Sequence, residues 1–306
     1  MKLKLDFDVV VVGAGVAGMT AAIYLKRANM NVVMIENNAP GGQINRTSTI
    51  ENYPGFEKID GPTLAYNIFT QTQTFEIPYK YGDVIEVINK RGYKIIKTET
   101  EEIKCKAVII ATGRRPRELG LKNETNLTGK GISWCSICDG PLYKNLNVAV
   151  VGGGNGALEE SIYLSEICKK VTIIHRRDYF TADKLLIEKA LSKKNIEVKY
   201  STVVTSLNES EKKLGSIDVK NTKTEKEENL EIDGLFIFIG NIPVSDMLEY
   251  TKVKRENGYI NVDKKMKTNI KGIYACGDVI KKDVYQISTA VGEGATAALS
   301  LSKDYN

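Results

Sequence analysis

Two cysteines and an aspartate close together, Cys135, Cys138 and Asp139, have side chains suited to redox chemistry. A Cys-x-x-Cys pair occurs in zinc sites, in structural disulfides and in redox-active dithiols. Zinc would need two further ligands, but the single histidine, His175, belongs to a nucleotide motif and the other cysteines are isolated. A carboxylate beside a thiol pair can transfer a proton as a thiolate forms or reacts. The sequence therefore predicts a redox dithiol with these three catalytic residues and no metal.

The remaining cysteines lie in strand-like or helix-like runs, and we expect them to be small buried residues. They are Cys105, Cys168 and Cys276.

A glycine-rich turn near the N-terminus predicts a first dinucleotide site. Residues 8–12 form a strand-like run of Asp8 and four valines, and Gly13-x-Gly15-x-x-Gly18 follows. After a helix-like run, a second strand ends at Glu36. In this arrangement the glycines let the backbone approach a pyrophosphate, and the helix N-terminus offers free N–H groups to its charge. An acid at the end of the second strand accepts hydrogen bonds from an adenosine ribose.

The same pattern recurs about 140 residues later, which suggests an internal duplication. Here the second strand ends in cations rather than an acid, and cations suit a 2′-phosphate. The alternative is a solvated basic turn. One site thus favours a dinucleotide without that phosphate and the other favours NADP, so we expect a flavin and a nicotinamide that exchange electrons. The residues predicted to bind the nicotinamide dinucleotide are Gly152, Gly154, Ala157, His175, Arg176 and Arg177.

Composition and charge exclude several other classes of protein. The chain has 306 residues, of which 42% are hydrophobic and 26% charged, as in ordinary globular proteins of about two domains. The formal net charge of +5 is spread along the chain and does not call for nucleic acid or a membrane as partner. The N-terminal apolar run is too short for a signal peptide, and no stretch approaches a transmembrane span. We therefore expect a cytoplasmic protein.

The segments outside these motifs predict further strands and turns. Residues 83–97 and 196–218 alternate in polarity and predict antiparallel strands appended to each nucleotide domain. Residues 222–228 predict a solvated hairpin tip. Residues 108–113 and 235–240 each predict a buried strand that leads into a turn where the chain leaves a domain.

Together these motifs resemble the bacterial-type, low-molecular-weight thioredoxin reductases over essentially the whole chain. The motifs that carry the resemblance are Gly13-x-Gly15-x-x-Gly18, Gly41-Gly42-Gln43, Glu51-Asn52 with Pro54-Gly55, Ala111-Thr112-Gly113, Cys135-x-x-Cys138-Asp139, Gly152-x-Gly154-x-x-Ala157, His175-Arg176-Arg177 and Gly272-Ile273-Tyr274-Ala275-Cys276-Gly277-Asp278-Val279.

The resemblance implies an α/β protein with two Rossmann-like dinucleotide-binding domains of the three-layer ββα type. Residues 1–115 and 244–306 would form the FAD domain, and residues 116–243 an inserted NADPH domain that carries the redox pair. A helix beginning near Gln286 would direct its positive end at the isoalloxazine. The residues implied for FAD are Gly13, Gly15, Gly18, Glu36, Gly42, Gln43, Asn52, Ala111, Thr112, Gly113, Gly277, Asp278 and Gln286.

The implied reaction is that of a thioredoxin-disulfide reductase. NADPH would reduce FAD, FAD would reduce the Cys135–Cys138 disulfide, and the dithiol would reduce thioredoxin or a similar protein. Cys138 would face the flavin and Cys135 would attack the partner's disulfide. The resemblance also implies a rotation of the inserted domain about hinges near residues 114–117 and 241–245, and we expect a homodimer.

The chain departs from the family's usual pattern at three places. Thr181 and Tyr285 stand where an arginine is common, and Pro141-Leu142 stand where two aromatic residues often contact thioredoxin. Two rival functions remain. One is a flavin-dependent thiol oxidase, and the other is a non-catalytic flavin redox sensor or zinc-binding module.

Overall fold

The computed structural model describes residues 4–47 and 50–305. Its α-helices are α1 (Val16–Arg27), α2 (Gly61–Thr74), α3 (Glu124–Leu127), α4 (Ser136–Asp139), α5 (Asn155–Ser165), α6 (Lys184–Leu191) and α7 (Ile287–Tyr305). Its strands are β1 (Phe7–Val12), β2 (Val32–Glu36), β3 (Tyr79–Tyr81), β4 (Val84–Lys90), β5 (Tyr93–Thr98), β6 (Glu102–Ile110), β7 (Arg114–Pro116), β8 (Ile132–Ser133), β9 (Asn147–Gly152), β10 (Lys170–Ile174), β11 (Ile196–Lys199), β12 (Thr202–Ser210), β13 (Lys213–Asn221), β14 (Glu227–Glu231), β15 (Gly234–Phe238), β16 (Asn241–Pro243), β17 (Arg255–Glu256), β18 (Tyr259–Ile260) and β19 (Ile273–Ala275). Short 3-10 helices span Gly42–Arg46, Gly140–Tyr143, Asp246–Thr251 and Gly277–Val279.

The chain divides into two compact units. The first contains the chain up to Arg115 and from Ile242 onward, and the second runs from Pro116 to Asn241. β7 and β16, the two segments where the chain passes from one unit to the other, pair as a two-stranded sheet.

β6 is central to the seven-stranded sheet of the first unit. Its C-terminal part lies parallel between β1 and β19, and its N-terminal part pairs antiparallel with β5, which pairs with β4. Beyond β1 the parallel order continues through β2 to β3. Because parallel strands end at the same edge of a sheet, the loops after β1, β6 and β19 lie together there.

The alternating residues of β1 belong to two different hydrophobic cores. Val9 and Val11 pack in a core with residues of α1 and α7, whereas Val10 and Val12 pack in a core with residues of the β4–β5 hairpin. The parallel strands therefore lie between a helical layer on one face and the β4–β5 hairpin on the other, and β5 joins that hairpin to β6.

The second unit repeats this construction. A five-stranded parallel sheet has the order β11-β10-β9-β15-β8, and β12, β13 and β14 form a separate antiparallel sheet. Val150 packs with Leu158 of α5, whereas Val151 packs with Leu207 and Ile217 of the antiparallel sheet. The predicted α/β class with two dinucleotide-type sheets is confirmed.

The structure corrects one prediction about strand direction. The segment 196–218 was predicted to be antiparallel, but β11 pairs parallel to β10 and extends the nucleotide sheet. Antiparallel pairing begins only with β12 and β13, and the β4–β5 pairing agrees with the prediction. Among the described residues, no helix is both long and apolar enough to cross a membrane.

The backbones of helices α1 and α7 are in direct contact. A methyl group at Gly294 of α7 would lie 2.3 Å from the carbonyl oxygen of Ala17, so only glycine fits there. Gly292, two residues earlier in the same helix, has no atom within 4 Å of the corresponding position. The two glycines therefore offer a matched test of this packing.

We expect Gly294→Ala to lower the free energy of unfolding by about 1–3 kcal/mol, because the two backbones must separate. Gly292→Ala should leave it unchanged or raise it by about 0.5–1 kcal/mol, since alanine favours a helix. Urea unfolding followed by circular dichroism measures both. Equal stability of the two variants would contradict the close approach.

Candidate functional site

The predicted redox pair forms a disulfide within one turn of the second unit. The sulfur atoms of Cys135 and Cys138 are 2.08 Å apart, and Cys135 precedes the first residue of α4. The backbone N–H groups of Cys138 and Asp139 donate to the sulfur and the carbonyl oxygen of Cys135, at 3.2 and 3.1 Å. Cys138 is exposed, whereas Cys135 is only 8% exposed. The turn thus places two sulfurs and a carboxylate together.

The redox turn rests on helix α5. A methyl group at Gly140 would lie 3.1 Å from Cδ2 of Leu164, so the end of the turn packs closely on this helix. On the same helix, burial raises the pKa of Glu160 to about 7, and interaction with the Ser136 hydroxyl partly offsets that rise. A carboxyl group that can be protonated near neutral pH therefore lies beside the redox turn.

The other three cysteines are buried free thiols, which confirms the prediction made for them. Burial raises the pKa of Cys105 to about 12 and that of Cys168 to about 11, and it also raises the pKa of Cys276. Because the thiolate is the reactive form, these thiols are chemically inert in the folded protein.

The glycines of the first loop differ in what the protein requires of them. A methyl group at Gly18 would lie 1.9 Å from the Gly13 carbonyl oxygen, and Gly13 has φ +101° and lies against Ala111. Nothing lies within 4 Å of such a group at Gly15. The fold therefore needs Gly13 and Gly18, whereas the open side of Gly15 fits the approach of a pyrophosphate.

Two further predicted residues border this loop. The backbone N–H of Gly41 donates to the Ala14 carbonyl oxygen at 2.8 Å, which holds exposed Gly42 beside Gly15. Glu36 ends β2, and its Oε2 accepts a hydrogen bond from the Ala14 N–H at 2.8 Å. The carboxylate that the sequence assigns to a ribose is thus fixed at the glycine loop.

Hydrogen bonds connect other predicted flavin residues across long stretches of chain. Asn52 Nδ2 donates to Gln286 Oε1 at 3.2 Å, and Gln286 directly precedes α7, so the expected helix is present. Gln43 Nε2 donates to the Arg114 carbonyl oxygen at 3.3 Å. The structure places Ala111, Thr112 and Gly113 directly after β6, whereas Gly277 and Asp278 follow β19 after one intervening residue, Cys276.

Sequence reasoning missed several charged residues around Asp278. Arg114 Nη2 lies 2.9 Å from Asp278 Oδ2, and Lys282 Nζ lies 3.3 Å from Asp278 Oδ1. Lys282 also pairs with Glu293 at 2.8 Å. Their positions next to the predicted motifs could have indicated them, because Arg114 directly follows Gly113 and Lys282 lies four residues after Asp278.

The second glycine loop has the same division of roles. A methyl group at Gly152 would lie 2.4 Å from the Phe238 carbonyl oxygen, and one at Gly153 would lie 2.3 Å from the His175 ring. At Gly154 the nearest atom is Thr181 Oγ1, at 3.8 Å. The loop is thus fixed at its first two glycines and open at the third, which fits a dinucleotide.

The residues after β10 differ sharply in exposure. His175 is 8% exposed, and burial lowers its pKa, with the charges of Arg177 and Arg176 adding to the effect. Its Nε2 is buried without a hydrogen-bond partner among the described residues. Arg176 and Arg177 are exposed, and the Arg177 guanidinium lies 5.8 Å from the ring centre of Tyr179. The positive charge here therefore comes from the arginines, because His175 is neutral at physiological pH.

Comparison with known proteins agrees with this arrangement. Residues 7–294 match the family model described as pyridine nucleotide-disulphide oxidoreductase. The chain is 42% identical to the thioredoxin reductase of Bacillus subtilis strain 168, over 96% of this chain and 93% of that protein. It is similar in structure to the Lactococcus lactis thioredoxin reductase in its FR conformation, with a TM-score of 0.90, 39% identity and coverage of 97% and 98%. The T. acidophilum thioredoxin reductase has a TM-score of 0.88 and 36% identity, with 99% of each chain covered.

We expect two fast-reacting thiols in the reduced native protein, from Cys135 and Cys138. The other three should react only after unfolding, because burial suppresses their thiolates. An aromatic disulfide reagent, applied after reduction and desalting and again in guanidinium, counts both classes. The double variant Cys135→Ser, Cys138→Ser is the control and should show no fast class. A third fast thiol in the native protein would contradict the burial.

Glu160 should make stability depend on pH. A carboxyl group whose pKa is raised from its ordinary value of 4.5 to about 7 by folding stabilises the fold at low pH, and this effect is lost as pH rises through 7. We expect Glu160→Gln to flatten the fall in Tm between pH 5 and 8, and exposed Glu188→Gln to leave it unchanged. An identical slope in both variants would show that Glu160 titrates normally.

Proposed function

This chain belongs to the pyridine nucleotide-disulphide oxidoreductase family, and from that premise we propose that it is an NADPH-dependent, FAD-containing thioredoxin-disulfide reductase. The observation that carries the proposal is one disulfide turn on a unit with its own dinucleotide loop, together with a second such loop in the other unit. Relatives and solved structures named thioredoxin reductase match almost the full chain.

The first unit supplies the residues for FAD. Backbone N–H groups at the start of α1 bind the pyrophosphate where Gly15 is open, and Glu36 accepts hydrogen bonds from the ribose. Gln43, Asn52, Asp278 and Gln286 bind the remainder of the flavin. Bound FAD supplies a centre that accepts a hydride and passes two electrons to a disulfide.

The second unit supplies the residues for NADPH. The loop at Gly154 accepts the pyrophosphate, and Arg176 and Arg177 bind the 2′-phosphate through charge-assisted hydrogen bonds. His175 fixes the loop by contact with Gly153, and being neutral it adds no charge of its own.

The dithiol then reduces a protein disulfide by exchange. The Cys135 thiolate attacks one sulfur of the substrate disulfide, forms a mixed disulfide, and releases the other sulfur as a thiolate, which takes up a proton. The Cys138 thiolate next attacks Cys135, which restores the intramolecular disulfide and releases the second substrate thiol. Asp139, in the same turn, holds and transfers the proton. Two electrons and two protons reach the substrate.

Anaerobic titration tests the assignment as a whole. The purified protein should be yellow, lose its flavin absorbance on addition of NADPH, and regain it when oxidised thioredoxin is added. Hydrogen peroxide formation in air without thioredoxin reduction would instead favour a thiol oxidase, and absence of flavin would overturn the proposal. Light scattering of the same sample tests whether the protein is a homodimer.

We expect the unaltered protein to prefer NADPH to NADH. In the variant Arg176→Ala, Arg177→Ala the ratio of kcat/KM for the two cofactors should fall about 10- to 100-fold, since one or two charge-assisted bonds are lost. Exposed Lys213→Ala, in the same unit, is the control for general loss of positive charge. Equal use of both cofactors by the unaltered protein would refute the role of the arginines.

Replacement of Cys138 and replacement of Cys135 should block different steps of the reaction. Cys138→Ser should trap thioredoxin as a stable mixed disulfide on Cys135, because the resolving thiol is absent. Cys135→Ser should form none and should instead show a charge-transfer band from the Cys138 thiolate beside oxidised flavin. Mass spectrometry and visible spectra distinguish them. Cys138 is the more exposed residue of the pair, and a mixed disulfide found only on Cys138 would reverse the two roles.

A further inference from the structure

Three contacts within the first unit fix the side chain and backbone of Arg114. Its Nη2 pairs with Asp278 at 2.9 Å, and its guanidinium carbon lies 4.0 Å from the ring centre of Tyr285. Its carbonyl oxygen accepts the hydrogen bond from Gln43. Arginine stacked on an aromatic ring and paired with a carboxylate is a rigid donor, because its plane can no longer turn.

One donor of this guanidinium lacks a partner. Arg114 Nε is buried with no acceptor within the described part of the chain, and the side chain as a whole is 17% exposed. A buried N–H that makes no hydrogen bond destabilises a protein by about 1–3 kcal/mol. Structures rarely retain such a donor unless a ligand or water satisfies it. The Nε–H is therefore a buried donor available to a bound ligand or a water molecule.

The surrounding charges do not compete for that donor. Asp278 has one oxygen on Arg114 and the other on Lys282. Glu293 has both oxygens within hydrogen-bond distance of Lys282, and its Oε2 also accepts from the Gly277 N–H at 2.9 Å. Both carboxylates are thus already engaged, and neither is bonded to Arg114 Nε.

We propose that Arg114 is a flavin-binding residue whose Nε–H donates a hydrogen bond to a carbonyl oxygen or ring nitrogen of the flavin. This inference rests on the proposed function. Arg114 contacts Gln43 and Asp278, which the family resemblance assigns to the flavin, and Tyr285, which adjoins Gln286. Its charge, held in a partly buried position, favours the reduced flavin, which is the more negative form.

Arg115 is a matched control. It is the next residue and has the same side chain, but it is 59% exposed, and its Nη2 lies 3.8 Å from Asp246, which is 80% exposed. Exposed pairs of this kind contribute little. Replacement of Arg115 therefore removes a positive charge from the same segment without removing the buried donor.

The test compares Arg114→Gln with Arg115→Gln after removal and return of FAD. We expect the Kd for FAD to rise at least about tenfold in Arg114→Gln, which corresponds to the loss of one hydrogen bond from a charged donor. Its flavin midpoint potential should become more negative, and its visible spectrum should shift. Arg115→Gln should match the unaltered protein in all three measurements.

Arg114→Lys separates the donor from the charge. Lysine keeps a positive charge that can pair with Asp278, but it has no donor at the position of Arg114 Nε. The midpoint potential of the flavin should therefore largely recover, while FAD binding stays weaker. If Arg114→Gln does not fold by circular dichroism, Arg114→Lys decides alone.

Unchanged FAD affinity and midpoint potential in either folded Arg114 variant would overturn the assignment, even if its Tm falls, because Arg114 would then only support Asp278. Failure of the unaltered protein to bind FAD would instead overturn the proposed function. The two failures are distinguishable because the second is seen before any substitution is made.

Discussion

Both nucleotide loops depend on how closely one helix can approach the backbone around it. In the first unit α1 meets the Gly13 carbonyl through Gly18, and its own Ala17 carbonyl meets α7 through Gly294. A methyl group at Gly18 would push α1 away from the loop that follows β1, and one at Gly294 would push α1 and α7 apart. These two contacts hold α1 against the loop, and the N–H groups at its start offer a site for an anion that needs no charged side chain.

Helix α5 has a second role in the other unit, which joins the two chemistries there. It begins directly after Gly154, where the loop is open, and its far end supports the redox turn through Leu164 and Gly140. A dinucleotide loop and a disulfide are thus carried by the two ends of one 11-residue helix. Rigid support of this kind fixes each group in relation to the helix, which loops alone would not do.

The sequence was most informative where the chemistry is local. Strand, glycine turn and helix follow one another within a few residues, and the Cys-x-x-Cys spacing needs no tertiary information, so the fold class and the disulfide pair could be predicted. The direction of β11 could not, because alternation of polarity is the same in parallel and antiparallel strands and only the partner decides. The contacts of Arg114 with Asp278 and Tyr285 were also invisible, since they join residues more than 160 positions apart. Such contacts depend on β6 and β19 ending at the same edge of the sheet.

A protein that handles disulfides must keep its other thiols out of the exchange, and this chain does so by burial. The pKa of Cys168 rises from 9.0 to about 11, which lowers its thiolate fraction at neutral pH roughly 100-fold. Cys105 and Cys276 are fully buried within the first unit, and their pKa values are raised further. Exchange requires a thiolate that can reach a disulfide in line, so raised pKa and inaccessibility act together. Exchange therefore takes place at the exposed turn of Cys138 for two reasons: that turn is accessible, and burial makes the other thiols unreactive.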